Sequence, residues 1–208
     1  MRIEPFEKYF LRYEQWFIDN PNVYKSELLA IKSLLPKRKK SIEIGVGSGK
    51  FAAPLGIMVG IEPSNKMRQL SLTRGIDVIN AVGELLPIRK ERFGLFLMVT
   101  TICFLDDIKM AFEEVYNILT SKGSFIIGFI DRNSSIGIKY QRHKKENVFY
   151  NVANFYSVDE VVSYLKIANF TKFEFSQTIF RPLLEIKDIE PIKPNYGEGS
   201  FVVIKAKK

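Results

Sequence analysis

The segment Glu43-Ile44-Gly45-Val46-Gly47-Ser48-Gly49 constrains this chain more than any other. It follows a short apolar run at 41–44 and precedes a helix-compatible stretch at 50–55. Glycines where a strand turns into a helix permit positive φ and let a ligand come close to the backbone. The helix N-terminus beyond them offers free N–H groups and a partial positive charge, which suits an anion such as a carboxylate. Glu43 is the odd member. A carboxylate inside an otherwise buried strand is costly unless it has partners. An ammonium group at that spot, directly or through water, or nearby backbone N–H groups, would supply them.

From this turn onward, apolar runs alternate with amphipathic stretches. Strands are expected at 41–44, 57–61, 76–80, 95–99, 124–130, 172–178 and 201–205. The run Leu95–Val99 is apolar throughout, as a strand buried on both faces should be. Helices are expected after Ser64, ending at Gly75 as a left-handed cap; after Asp106 or Asp107, ending at Gly123; and after the capping box Ser157-Val158-Asp159-Glu160. Strands joined by crossover helices give an α/β, doubly wound, mostly parallel seven-stranded sheet with helices on both faces. The last two strands have no helix between them and are expected as an antiparallel pair. Ahead of the sheet, Phe6, Tyr9, Phe10, Tyr13, Trp16 and Phe17 recur at helical spacing and predict one helix over 4–18. Asn20-Pro21 then reads as an N-cap followed by proline in the first turn of a second helix. The whole of 1–208 is read as a single domain, with 1–36 as a helical cap and the polar, lysine-rich segment 132–155 as an inserted lid.

Charge and composition exclude several classes. One cysteine, Cys103, and one histidine, His143, leave no internal disulfide and no Cys/His metal centre, so no metal is expected. No run of about 18 apolar residues suggests a membrane span, and a charged N-terminus (Met1-Arg2-Ile3-Glu4) is unlike a signal peptide. A cytoplasmic location is the expectation. The net charge of +8 raises the question of nucleic acid. The basic loop Lys37-Arg38-Lys39-Lys40, however, precedes the first strand, at the end of the sheet opposite to where such sheets bind ligands. Glu62, at the end of the second strand in Ile61-Glu62-Pro63-Ser64, is placed to accept both hydroxyls of a ribose. Gly47-Ser48-Gly49-Lys50-Phe51-Ala52 also fits the GxGxxA pattern of dinucleotide folds, although Glu43 sits where those folds keep an apolar strand.

Taken together, these residues resemble the class I S-adenosylmethionine-dependent methyltransferases, in particular their small-molecule "type 11" branch. Glu43–Gly49 looks like the E/D-x-G-x-G-x-G motif of that family. Glu62 matches its ribose-binding acid, and Ala81-Val82-Gly83-Glu84-Leu85-Leu86-Pro87 matches its adenine loop. The stretch 93–107 and the tail around Tyr156-Ser157 and 196–203 are similar as well. The resemblance implies a Rossmann-like fold and S-adenosyl-L-methionine as cofactor, held by Glu43, Gly45, Val46, Gly47, Gly49, Glu62, Pro63, Gly83, Glu84 and Val99. It departs from the family at Val82, where an aspartate is expected, at Gly94, and at Cys103, where the rim often carries histidine. The implied reaction is an in-line methyl transfer to a small molecule, with the acceptor not specified and no general base assigned. Candidate pocket residues are Tyr13 and Trp16 on the N-terminal helix, Cys103 on the rim, and Tyr140 and His143 in the lid. The competing readings are an RNA or DNA methyltransferase, a nicotinamide-dependent oxidoreductase, and a cofactor-binding protein without catalysis. Nucleic acid is disfavoured because the N/D/S-P-P-Y motif of base-amine methylation is absent after strand four, where Thr100-Thr101-Ile102-Cys103 stands.

Overall fold

The computed structural model describes residues 2–37 and 39–208. Met1 and Arg38, which belong to two of the sequence readings above, lie outside the described residues. The N-terminal region forms α1 (Glu4–Lys8), α2 (Phe10–Asp19) and α3 (Pro21–Leu34). The expected single helix over 4–18 is therefore two. The chain breaks at Tyr9, whose φ of −116° and ψ of 27° are not helical. Asn20 holds the N-cap position of α3 with Pro21 in the first turn, as expected, but its side chain makes no cap bond and donates instead to the Trp16 carbonyl at 2.9 Å, closing α2.

The sheet follows, with the helix expected over 50–55 reduced to one 3₁₀ turn at Ala53–Leu55. β1 (Ser41–Ile44), β2 (Val59–Ile61), α4 (Asn65–Thr73), β3 (Asp77–Ile79), β4 (Leu95–Val99), α5 (Ile108–Ile118) and β5 (Ser124–Ile130) follow in order. α6 (Ser135–Arg142), α7 (Val158–Ile167), β6 (Thr171–Thr178), β7 (Lys193–Pro194) and β8 (Phe201–Lys207) complete the fold. Strand order is β3-β2-β1-β4-β5-β8-β6-β7. The first five are parallel, and β8 runs antiparallel between β5 and β6. The α/β class and mostly parallel sheet are as read from sequence. The count is eight rather than seven, because the short β7 pairs with the end of β6 through Ser176 and Gln177. A two-residue strand containing proline has no periodicity to detect.

Local signals account for most helix ends. Ser64 accepts from the Met67 N–H at 3.2 Å, Asp107 from Met110 at 2.9 Å, and the Ser157–Glu160 capping box is formed on both sides. Gly75 has the expected positive φ of 76°. Gly123 does not end α5, which stops at Ile118; Lys122, at φ 59°, takes the left-handed position in the turn that follows.

Alternate residues of the central strands feed two apolar layers. Phe96, Met98, Phe125 and Ile127 pack with α5 and α7 on one face. Leu95, Leu97, Val99 and Ile126 pack with α2 and α3 on the other. Both faces are covered, which is why β4 carries no polar residue. No helix among the described residues is long and apolar enough to cross a membrane.

The strand order reverses direction between β1 and β4. Ligands of such sheets bind in the crevice at the carboxyl ends flanking that point. Here those ends are Gly45 and Thr100.

Candidate active site

β1 ends at Ile44, and the chain turns through Gly45 and Gly47, at φ 66° and 55°. A side chain at Gly45 would place its Cβ 2.4 Å from Thr101 Cγ2, so β4's rim and this turn meet only because that residue is glycine. Thr101 holds the contact by donating to the carbonyls of Val99 at 2.9 Å and Gly45 at 3.3 Å. Thr100 beside it has φ 49°, a left-handed conformation rare for a β-branched residue and typical of places where a chain is bent to serve a site.

Glu62, at the end of β2, is buried and faces the same turn. One carboxyl oxygen accepts from the Gly47 N–H at 2.9 Å and the other from the Ser64 N–H at 2.9 Å. Burial pushes its carboxyl up to about 7, working against those two N–H groups. Glu43 lies behind the turn, 1% exposed. The Ala52 N–H serves its carboxyl, yet Oε2 has no partner. Burial, reinforced by the charge of Glu62, drives its carboxyl well above the usual range.

A cavity of about 480 Å³ opens from this corner. Gly45, Gly47, Glu62 and Val99 form one end, and Thr100, Thr101 and Cys103 form its rim. Tyr13, Trp16 and Phe17 of α2, Glu27 of α3, and Tyr140, Phe149, Tyr150 and Phe155 of the 132–155 segment form the other end and the roof. Tyr13 reaches over the glycine turn, its hydroxyl 3.3 Å from where a Gly47 Cβ would stand. Burial raises the Tyr13 phenol far above its ordinary value, and the carboxylates Glu43, Glu14, Glu62 and Glu27 add to that, so it stays neutral. Burial likewise lifts the Cys103 thiol to about 12, which keeps it protonated and a poor nucleophile.

The roof is fastened to the base by carboxylates. Glu14 of α2 accepts from the Ser48 hydroxyl and pairs with Arg74 and, at 3.4 Å, with Lys50. Glu7 of α1 accepts from the N–H groups of Asn65 and Lys66, at the start of α4, where the helix dipole favours a negative charge. On the other side, Asn154 donates to the Cys103 carbonyl at 2.7 Å, and Phe149 packs on Phe6, Tyr9 and Tyr13.

Of the residues expected at the site, Gly45, Gly47, Glu62, Val99, Tyr13, Trp16, Cys103 and Tyr140 line the cavity. Others stand outside its wall. Val46 is buried against Gly60, Gly49 abuts Ile76, and the Pro63 carbonyl accepts from Arg68 at 2.7 Å. Gly83 packs between Leu105 and Ile44. The Glu84 carboxylate turns onto the Asp106 N–H at 2.8 Å, with Oε2 unpartnered. His143 is exposed, the C-terminal residue capping α6, with Nδ1 3.0 Å from the Lys139 carbonyl. The structure does not bring it to the cavity, because the last turn of α6 carries it to solvent.

Glu27, Phe149, Tyr150 and Phe155 are not among the candidate pocket residues, although Phe149, Tyr150 and Phe155 belong to the segment read as a lid. The signal for Glu27 was present: an acid on the stripe Val23–Glu27–Ile31, whose neighbours at both four-residue steps are apolar and buried.

The model of the family described as "Methyltransferase domain" matches residues 42–127, the stretch from β1 into β5. The crystal structure of an S-adenosylmethionine-dependent methyltransferase of Thermotoga maritima, described as a possible histamine N-methyltransferase, is 44% identical, covers 98% of each chain and superposes with a TM-score of 0.96. The chain belongs to the S-adenosylmethionine-dependent methyltransferases. Two uncharacterized proteins are also similar to this methyltransferase. One, from Methanocaldococcus jannaschii, is 42% identical over 203 residues, covering 98% of both chains. The other, from Mycobacterium tuberculosis, is 32% identical and covers 93% of this chain and 70% of its own length.

Proposed function

We propose that this methyltransferase carries a methyl group from S-adenosyl-L-methionine to a small organic acceptor enclosed beside it in the cavity, in the cytoplasm, with 1–36 serving as cap and 132–155 as lid of one catalytic unit. One observation carries the reading: a single cavity joins the glycine turn and Glu62 at one end to an aromatic chamber at the other. The cofactor, when bound, supplies an activated methyl on a sulfonium, so the reaction is an in-line displacement.

The residues present suit that group. Each Glu62 oxygen takes one backbone N–H and keeps acceptor capacity for a ribose hydroxyl. The unpartnered Oε2 of Glu43 behind the turn calls for a cation or a bridging water, as an amino-acid tail would bring. Gly45, Val46, Gly47 and Gly49 shape the turn around that tail. Val99 lines the cavity at the nucleoside end, and Pro63, Gly83 and Glu84, expected beside the nucleoside, stand in the loops behind that wall. The chain's own contribution is alignment of acceptor and methyl, worth about 7–11 kcal/mol in well-oriented systems, and exclusion of water by the roof. The roof also argues for a small acceptor over a polynucleotide. The lysines of the 37–40 loop face away from the cavity, with Lys39 bonded to the Lys122 carbonyl at 2.8 Å.

Calorimetric titration with S-adenosylhomocysteine tests the cofactor corner. The wild-type protein binds it, and Glu62→Ala weakens binding by about thirtyfold or more, the scale of losing a buried charged partner. Equal affinity in the two proteins would overturn the assignment.

A further inference from the structure

The described residues include six buried acids: Glu27, Glu43, Glu62, Glu84, Asp131 and Glu190. Five have protein partners. Glu190 pairs with Arg181 and accepts the Phe180 N–H at 2.8 Å, Asp131 accepts from Asn133 at 3.1 Å, and Glu43, Glu62 and Glu84 each take backbone N–H groups. Glu27 is 4% exposed and has neither a hydrogen bond nor an ion pair among the described residues. Its small remaining exposure is to the cavity, whose wall it helps form.

A buried carboxylate left without a partner is expensive, and an isostere lacking the charge would relieve the cost. A native fold that keeps such a group on a cavity wall needs a reason for it, and a ligand that completes it is one. Around Glu27, the chamber is aromatic: Tyr13, Trp16, Phe17, Tyr140 and Tyr150 share the wall with it. Aromatic faces attract cations, the more so when water is excluded. The cations of the cavity, Arg2 and Arg12, line it from the α1–α2 side, where Arg12 is exposed and Arg2 is tied to the Val152 carbonyl. The acids on the cavity wall are Asp19, exposed at the end of α2, and the buried Glu27 and Glu62.

We infer that Glu27 receives the ammonium group of the methyl acceptor, which makes the acceptor an organic amine held between this carboxylate and the aromatic wall. The inference rests on the cavity being the acceptor site proposed above. Glu27 is then a binding residue that determines specificity: an alcohol or a carboxylic acid of the same skeleton leaves the carboxylate unanswered or opposes it. Burial alone lifts Glu27 to about 8. The groups that sense its charge are the phenols of Tyr13 on α2, Tyr24 on α3, Tyr140 on α6, and Tyr150. All four are raised by burial and neutral near pH 7. Free protein therefore carries a proton on Glu27 at pH 7, and an arriving ammonium expels it.

Titration calorimetry at pH 7, on protein saturated with S-adenosylhomocysteine, tests this. The probes are 2-phenylethylamine, tryptamine and 1,4-diaminobutane, each beside the alcohol of the same skeleton. At least one amine is expected to bind about tenfold or more tightly than its alcohol, with a heat that varies with the ionisation enthalpy of the buffer because a proton is released. Glu27→Gln should remove both the margin and the buffer dependence while S-adenosylhomocysteine still binds and the melting temperature holds or rises. No preference for any amine, or a preference that survives Glu27→Gln, overturns the inference. So does a variant that melts far below the wild type, which would mark Glu27 as structural. Failure of wild-type protein to bind S-adenosylhomocysteine would instead sink the cofactor corner and is read separately.

Discussion

Glu62 and Glu27 are buried carboxylates on one cavity, and the fold treats them differently. Glu62 is fixed by two backbone N–H groups, one from the glycine turn and one from the start of the β2–α4 connection. Glu27 has no hydrogen bond or ion pair among the described residues and shares the cavity wall with Tyr13, Trp16, Phe17, Tyr140 and Tyr150. The first arrangement orients a charge before any ligand arrives, and the protein itself meets most of the desolvation cost. The second avoids that cost in the free protein by keeping a proton on Glu27 near pH 7, so its charge appears only with a ligand bearing the opposite one. On the proposed function, the end that receives the cofactor is built rigidly from backbone, and the end that selects the acceptor is built from side chains on α2, α3 and the 132–155 segment.

The largest consequence is a dependence of stability on pH. Burial raises Glu27 from 4.5 to about 8 and Glu62 from 4.5 to about 7. The folded chain then holds protons that the unfolded chain has already released. For such groups the stabilising contribution is full below pH 4.5 and is lost as pH climbs through 7 to 8. One retained proton gives a slope of about 1.4 kcal/mol per pH unit. Chemical denaturation from pH 5 to 9 should show stability falling in the wild type, and falling less steeply in Glu27→Gln. Parallel curves for the two proteins would mean Glu27 is ionised as freely as a surface acid, and the contrast between the two carboxylates would go with it.

Gly45→Ala attacks the rigid end. The new Cβ would meet Thr101 at 2.4 Å, and φ of 66° disfavours any L side chain. Left-handed strain of about 1–2 kcal/mol and overpacking of about 1–3 kcal/mol together predict a loss of about 2–5 kcal/mol in denaturation. The matching mutation at the adaptable end, Trp16→Phe, trims a half-buried ring and should cost well under that. If Trp16→Phe proved the more damaging, rigidity would lie in the roof instead of the turn.

The same division explains what the sequence disclosed. Glycines at 45, 47 and 49, the acid ending β2 and the uninterrupted apolar run of β4 are local features with few physical interpretations, so the sheet and the glycine turn with Glu62 facing it were legible. Helix starts at Ser64, Asp107 and Ser157 were legible for the same reason: a cap is written within four residues. The aromatic chamber was not. Phe149, Tyr150 and Phe155 reach it from more than a hundred residues beyond α2, through tertiary packing that no spacing encodes. His143, attractive for its chemistry, is turned to solvent by the helix it ends. Glu27 could have been found by extending to α3 the question already asked of Glu43, namely what answers a charge on a buried face.

The smallest effect tests whether roof and base act as one. Glu14 joins α2 to Ser48, Lys50 and Arg74, and its side chain is 18% exposed. Partly exposed ion pairs contribute roughly 0–1 kcal/mol each, so Glu14→Ala should lower global stability by only about 1–2 kcal/mol. Its local effect should be larger in proportion, because the latch links two elements that otherwise meet through ring contacts. Backbone amides of α2 should exchange with deuterium faster in Glu14→Ala, while those of β4 and β5 keep their protection. If S-adenosylhomocysteine binds at the glycine turn as proposed, beneath Tyr13, it should both enter and leave faster, with little change in equilibrium affinity. Uniform loss of protection across the sheet would show that α2 is part of the core and not a cover. Unchanged exchange in α2 would assign its hold to the aromatic contacts of Phe6, Tyr13 and Phe149, and would move the hinge of the cavity to the 132–155 side.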